Sequence, residues 1–256
     1  MPARILLFDF FEQSTPNAGG SRVITFKMQP VGALDLLLSA DANLIAIVRL
    51  SLAVTLSATF FAALLGMPLG AFVALVRFPG REALIVILNA FMGLPPVVVG
   101  LCVFLLLSRS GPLGELGLLF TPTAMVIAQT LLIAPIVAAL TRQVIEDLWA
   151  EYHDEFTAMR VGPLARVAAL LWDARFSLVT ILLAGFGRAA AEVGAVIIVG
   201  GNIAGFTRVM TTTIALETSK GDLGLAVGLG LVLMALIMTV NALAWGVRRW
   251  SEKHAG

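Results

Sequence analysis

Residues 44–76 read LIAIVRLSLAVTLSATFFAALLGMPLGAFVALV, with Arg49 as their one charge. A helix rises about 1.5 Å per residue, so about 20 mostly apolar residues cross the ~30 Å hydrocarbon layer of a bilayer. This stretch exceeds that need and is long enough to tilt. Gly66, Pro68 and Gly70 mark where it bends or ends. In lipid every backbone N–H and C=O has to be bonded internally, which leaves only helices and closed barrels. A barrel strand alternates apolar with polar residues, and an unbroken apolar run does not. The stretch therefore reads as a transmembrane helix.

Four more runs of this kind follow, at about 83–107, 122–140, 176–199 and 223–247. Composition agrees: 59% of the 256 residues are hydrophobic and 13% charged, against roughly 25% charged in soluble domains. The predicted class is an all-α integral membrane protein of about five transmembrane helices, its membrane domain covering 31–250. Residues 31–38 are too few to cross and read as an interfacial helix. Residues 1–30 are broken by Asp9, Glu12, Pro16, Asn17 and Gly19-Gly20 and lack a signal-peptide cleavage pattern. They read as a poorly ordered or interfacial tail, and 251–256 as a short second tail.

Orientation follows from Lys and Arg near the helix ends. One side carries Arg77, Arg81, Arg142, Arg160, Arg166, Arg175, Arg248, Arg249 and Lys253; the other carries Arg109, Arg208, Lys220 and the tail cations. The richer side is predicted to be cytoplasmic, with the C-terminus inside and the N-terminus outside. The connection 141–175 then falls in the cytoplasm, and 200–222 outside.

Several functions are disfavoured. A net charge of +1 gives no field to attract nucleic acid. Cys102 is the single cysteine; it forms no internal disulfide, and with His153 and His254 it makes no metal site. Its place in an apolar run predicts a buried, inert side chain. Neither a phosphate-binding loop nor a nucleophile elbow is present, so no ATP hydrolysis by this chain, no catalytic residue and no bound cofactor are expected.

The cytoplasmic connection is long yet rich in helix formers. Residues 146–155 are acidic and aromatic, whereas 158–168 mix small apolar residues with arginines. Gly162 can stop one helix and Pro163 can open the next. That makes a helix–turn–helix beneath the membrane, either a connector or a docking surface. In the fourth run, Gly187 with Ala191 and Ala190 with Gly194 are spaced four apart, which lets helices approach closely. Arg188 and Glu192 have the same spacing and can pair. Such charges inside a membrane face a bundle interior or a watery path; they either fix packing or line and gate that path. Beyond them, the glycines and hydroxyls of 199–220, among them Asn202, Thr207, Arg208 and Thr211, either offer donors to an anion or form a capped loop and a short surface helix. Pro95-Pro96 breaks the second run, marking a kink or a bend toward a path, and Gln129, Thr130 and Asn241 read as interhelical glue.

Two motifs carry a resemblance. Ala158 and Gly162 match the second alanine and the glycine in the Glu-Ala-Ala…Gly cytoplasmic loop of type I ABC importer permeases, although Phe156 and Thr157 replace its Glu and first Ala. Glu192-Val-Gly-Ala, Gly200-Gly-Asn-Ile, Thr207-Arg208, Thr211-Thr-Thr, Glu217-Thr-Ser-Lys-Gly and Asn241 are similar to the permeases of bacterial tungstate importers, over 34–245. The resemblance implies a multi-pass bacterial inner-membrane protein that imports a tetrahedral oxyanion, tungstate first and molybdate or sulfate as alternatives. It implies a second copy of the chain, an ATP-binding cassette ATPase holding ATP and Mg, and a periplasmic or extracellular substrate-binding protein as partners. It makes 141–175 a coupling loop, with Ala158, Met159, Arg160, Val161, Gly162, Pro163, Leu164 and Arg166 contacting the ATPase. The candidate residues of the path or its gate, read from their charge and donor groups, are Arg188, Glu192, Asn202, Thr207, Arg208 and Thr211. The competing readings are a membrane anchor, which has no reason to carry charges inside a span, and a gated channel, which would conduct without nucleotide.

Overall fold

A computed structural model describes residues 8–16, 22–30 and 42–254, with side chains over 42–246. Its frame is a bundle of helices: α1 (Ala42–Leu75), α2 (Arg81–Met92), α3 (Pro96–Leu107), α4 (Pro122–Ala158), α5 (Pro163–Asp173), α6 (Arg175–Ala190), α7 (Gly194–Gly200), α8 (Met210–Lys220) and α9 (Leu223–His254). Among the described residues, three helices are long and apolar enough to cross a membrane alone: α1, α4 and α9 through Gly246. Two bent pairs, α2–α3 at 104° and α5–α6 at 71°, raise the number to as many as five. The expected helical membrane bundle is thus present.

The centre of the bundle is the seam between α1 and α4. Ala58, Ala62, Gly66, Gly70 and Ala74 recur every fourth residue along α1, and all are buried. Small residues in this register let backbones come close, so dispersion contacts and backbone-directed hydrogen bonds take the place of the hydrophobic effect, which is absent in lipid. The fit is tight: a Cβ on Gly66 would sit 2.8 Å from the Ala134 carbonyl, and one on Gly70 would sit 2.4 Å from that of Ala138. Thr130 donates to the Ala58 carbonyl at 3.4 Å, as glue of the expected kind.

Several expectations change. The second run is not one continuous helix but two helices meeting at 104°, because α2 ends at Met92 and Pro95 and Pro96 re-start the chain as cap and first residue of α3. The third run does not end at Leu140. At about 1.5 Å per residue, α4 is about 55 Å long, so a large part of it lies beyond any hydrocarbon layer. The fourth run breaks after Ala190. Last, Phe8–Pro16 and Arg22–Pro30 form an antiparallel hairpin, with Phe8 opposite Pro30 and Pro16 opposite Arg22, and the first strand lies against α9. The alternation and β-branching of 22–28 (Arg-Val-Ile-Thr-Phe-Lys-Met) and the Asn17–Ser21 turn residues carry the signal that a tail reading passes over. The expected interfacial helix at 31–38 lies outside the described residues. Cys102 is exposed rather than buried, on the same outer face of α3 as Leu101 and Leu105.

Candidate functional site

Chemistry-bearing residues gather at three levels of the bundle. At one end α4 projects past the seam, and its extension is clamped to the α1–α2 turn. Arg81 at the start of α2 and Arg142 of α4 both pair with Glu146, and Arg81 also donates to the Val73 carbonyl of α1 at 2.8 Å. Two guanidiniums on one carboxylate fix the direction in which α4 leaves the bundle.

At the tip α4 ends at Ala158, and Arg160 takes a left-handed φ of 50° to turn the chain. Gly162 is therefore not the helix stop. At φ −69°, ψ 158° it is the residue before α5, and Pro163 is that helix's first position, as expected. Nothing lies within 4 Å of where a Gly162 Cβ would be. α5 is amphipathic. Leu170 is buried in the cluster that holds Ala71, Ala74 and Ile145, with Val167 and Leu171 packed beside it. Its other face is bare: Leu164 is 85% exposed and Trp172 71%. Of the eight residues expected at this surface, Met159, Arg160, Gly162, Pro163 and Leu164 are exposed, as is Ala158, while Val161 is half-buried. Arg166 turns back, donating to the Val161 carbonyl at 2.7 Å with its guanidinium 5.3 Å from the Trp149 ring centre. It staples the turn rather than reaching outward.

At mid-bundle lies the break between α6 and α7. Arg188 donates to Glu192 at 2.8 Å, so the pairing expected from the spacing forms, but across a helix end rather than along one helix. Glu192 is 4% exposed, whereas the Arg188 side chain is 37% exposed. The second Glu192 oxygen accepts from the Ala195 N–H at 3.1 Å, and the Glu192 carbonyl accepts from Thr211 at 2.9 Å. One carboxylate thus caps α7 and holds α6, as a negative group at a helix N-terminus does. Gln129 of α4 donates to the Ala189 carbonyl at 3.2 Å, bracing the break from the third side. Close approaches occur at Gly185 against Ile133, Gly194 against Val97 and Gly100 against Ala195; the Gly187–Ala191 pair makes none.

At the opposite end, the Gly201–Arg208 loop folds over the N-terminal part of α1. Asn202 and Gly205 adopt left-handed φ values of 49° and 73°. Thr207 is fully buried; its hydroxyl donates to the Gly200 carbonyl and accepts from the Ile203 N–H at 3.0 Å. Thr207 is therefore a loop lock, and Thr211 a tie to the break, rather than free donors. Arg208 donates to the Asn202 carbonyl at 3.4 Å. The expected short surface helix is α8, whose Met210, Thr212, Thr213 and Glu217 are buried. Its first N–H is capped at 2.8 Å by Ser51 of α1, a role that sequence spacing does not reveal.

No protein-family model matches the chain. It is 42% identical over 207 residues to a probable anion ABC transporter permease protein of Haloferax volcanii, covering 78% of this chain and 88% of that one. It is 39% identical over 216 residues to the tungstate uptake system permease protein TupB of Peptoclostridium acidaminophilum, covering 84% and 95%. A sulfate transport system permease protein, CysT of Salmonella typhimurium, is 28% identical over 207 residues. Among solved structures, an inward-facing MetNI methionine ABC transporter chain superposes with a TM-score of 0.66 at 18% identity, covering 86% of this chain and 98% of that one.

Proposed function

The chain belongs to the permease family of ABC importers, in the group that holds tungstate-uptake permeases, and we propose that tungstate is the anion it moves. It is the membrane-spanning subunit of an ATP-driven importer. Two copies enclose the path; a substrate-binding protein delivers the anion at the Gly201–Arg208 end, outside the cell, and a separate ATPase binds at the α4–α5 tip in the cytoplasm. ATP and Mg belong to that ATPase.

The observation that carries this reading is the tip itself. A clamped extension of a spanning helix ends in a turn, Met159–Leu164, whose Met159 and Leu164 side chains the chain leaves uncovered beside Arg160. Apolar groups this exposed, at the end of a rigid arm beyond the membrane, suit a partner's cleft. Because Glu146 locks α4 to the α1–α2 turn, a push on the tip reaches the α1–α4 seam as rigid-body motion, the usual form of such switching. The Arg188–Glu192 clasp, where the chain breaks between α6 and α7, is the gate hinge. The permease itself holds the anion loosely, since a deep site would stall release.

Reconstituted vesicles test this. With the ATPase inside and the loaded binding protein outside, tungstate is expected to accumulate only with ATP. Accumulation that is indifferent to ATP would leave a channel, and no accumulation in any condition would leave an anchor.

A further inference from the structure

Where the Gly201–Arg208 loop meets α1, a cleft of about 520 Å³ opens. Ala46, Leu50 and Ala53 of α1 form one wall, and Ala204, Gly205 and Phe206 the other. Two arginines line it, Arg49 and Arg208, and among the described residues no Asp or Glu does. Neither arginine pairs with a carboxylate among the described residues. Arg208 is half-buried, and its Nε is sealed from solvent without an acceptor.

The two are held together by design of the backbone. Ser51 accepts the Met210 N–H at 2.8 Å, and each arginine stands two residues before one member of that bond. The loop that carries Arg208 is locked by Thr207. Arg49 is exposed and Arg208 half-buried; two positive charges that line one cleft without a counter-ion repel one another, more strongly beside apolar walls than in open water. A site of this kind is completed by a small dianion, and the planar fork of Arg suits tetrahedral oxygens.

We propose that Arg49 and Arg208 together form an oxyanion vestibule, which receives the tetrahedral dianion before it enters the path. This rests on the importer reading above and adds to it Arg49 and a pairwise role. The volume leaves room for part of the anion's hydration shell, so the hold is loose and passage onward is quick.

The test uses the assembled complex in phosphatidylcholine vesicles, measuring ATP-driven uptake of tungstate over a range of binding-protein concentrations. R49Q/R208Q is expected to lower the maximal rate tenfold or more, each single Gln variant less, and R49K/R208K to keep a third or more. Uptake by R49Q/R208Q within twofold of the parent overturns the vestibule. So does a Lys variant as inactive as the Gln one, since charge would then not be what matters. A loss that higher binding-protein concentrations recover assigns the arginines to protein docking and also overturns it. A loss that appears only in vesicles containing phosphatidylglycerol assigns them to lipid phosphate, with the same result. If the parent complex takes up molybdate or sulfate but no tungstate, the substrate assignment fails, and the same variants measured with the accepted anion still decide the vestibule.

Discussion

Gly70 and Gly162 are the same residue in opposite surroundings. At Gly70 a Cβ would strike the Ala138 carbonyl at 2.4 Å; at Gly162 it would meet nothing within 4 Å. The first lies in the α1–α4 seam, where backbone touches backbone. The second lies at the α4–α5 tip, in an extended conformation open to any residue. The seam needs its glycine for the fold of this chain alone. The tip has no such need, so a requirement for glycine there has to come from another molecule. The contrast separates scaffold from working surface.

Substitutions break or sharpen that contrast. Gly70→Ala forces two backbones apart and is expected to sit at or above the upper end of the ~1–3 kcal/mol typical of overpacking, seen as lost yield and a lower melting temperature in detergent. Gly187→Ala, where the space is open, should stay within ~0.5 kcal/mol. Equal effects at the two positions would mean that the seam is looser than its contacts state.

The α6–α7 break is intermediate. Glu192→Leu removes both the α7 cap and the partner of Arg188, and about 2 kcal/mol is expected from a cap worth ~1 kcal/mol plus the stranded, partly exposed charge. Arg188→Leu keeps the cap but strands the buried Glu192 carboxylate, so it should cost at least as much. Adding Arg188→Leu to Glu192→Leu should restore only part of the loss in thermal melting, because the cap stays missing. Full recovery of both stability and uptake would reduce the clasp to a simple ion pair and remove it from the gate.

Gly162→Leu should be the mildest for the fold, within ~0.5 kcal/mol, while ATP-driven uptake falls tenfold or more. Normal transport by this variant would show that no partner seats on the tip.

Much of this molecule is legible in its sequence, and the illegible parts have a common cause. Apolar runs give the spans because lipid constrains every residue of a run alike. The Arg188–Glu192 pairing follows from spacing alone, and Pro163 as a helix start follows from its missing N–H. The failures lie where a neighbour decides. Gly187 and Ala191 carry the same small-residue spacing as Gly66 and Gly70, but only the latter have α4 beside them. Arg166 reads as a surface cation until Trp149 and the Val161 carbonyl draw it back. Ser51 reads as one more small residue in a span until Met210 arrives from 159 residues away.

The sequence by itself determined that the chain is a helical membrane protein and that a helical arm extends from its apolar runs, since those properties come from the solvent and from bonds between near neighbours. Only the tertiary structure decided which small residues form the seam, that Glu192 caps one helix while holding another, and that Arg49 and Arg208 share one cleft. Contacts between distant segments depend on the packing of the whole bundle, and no local period encodes them.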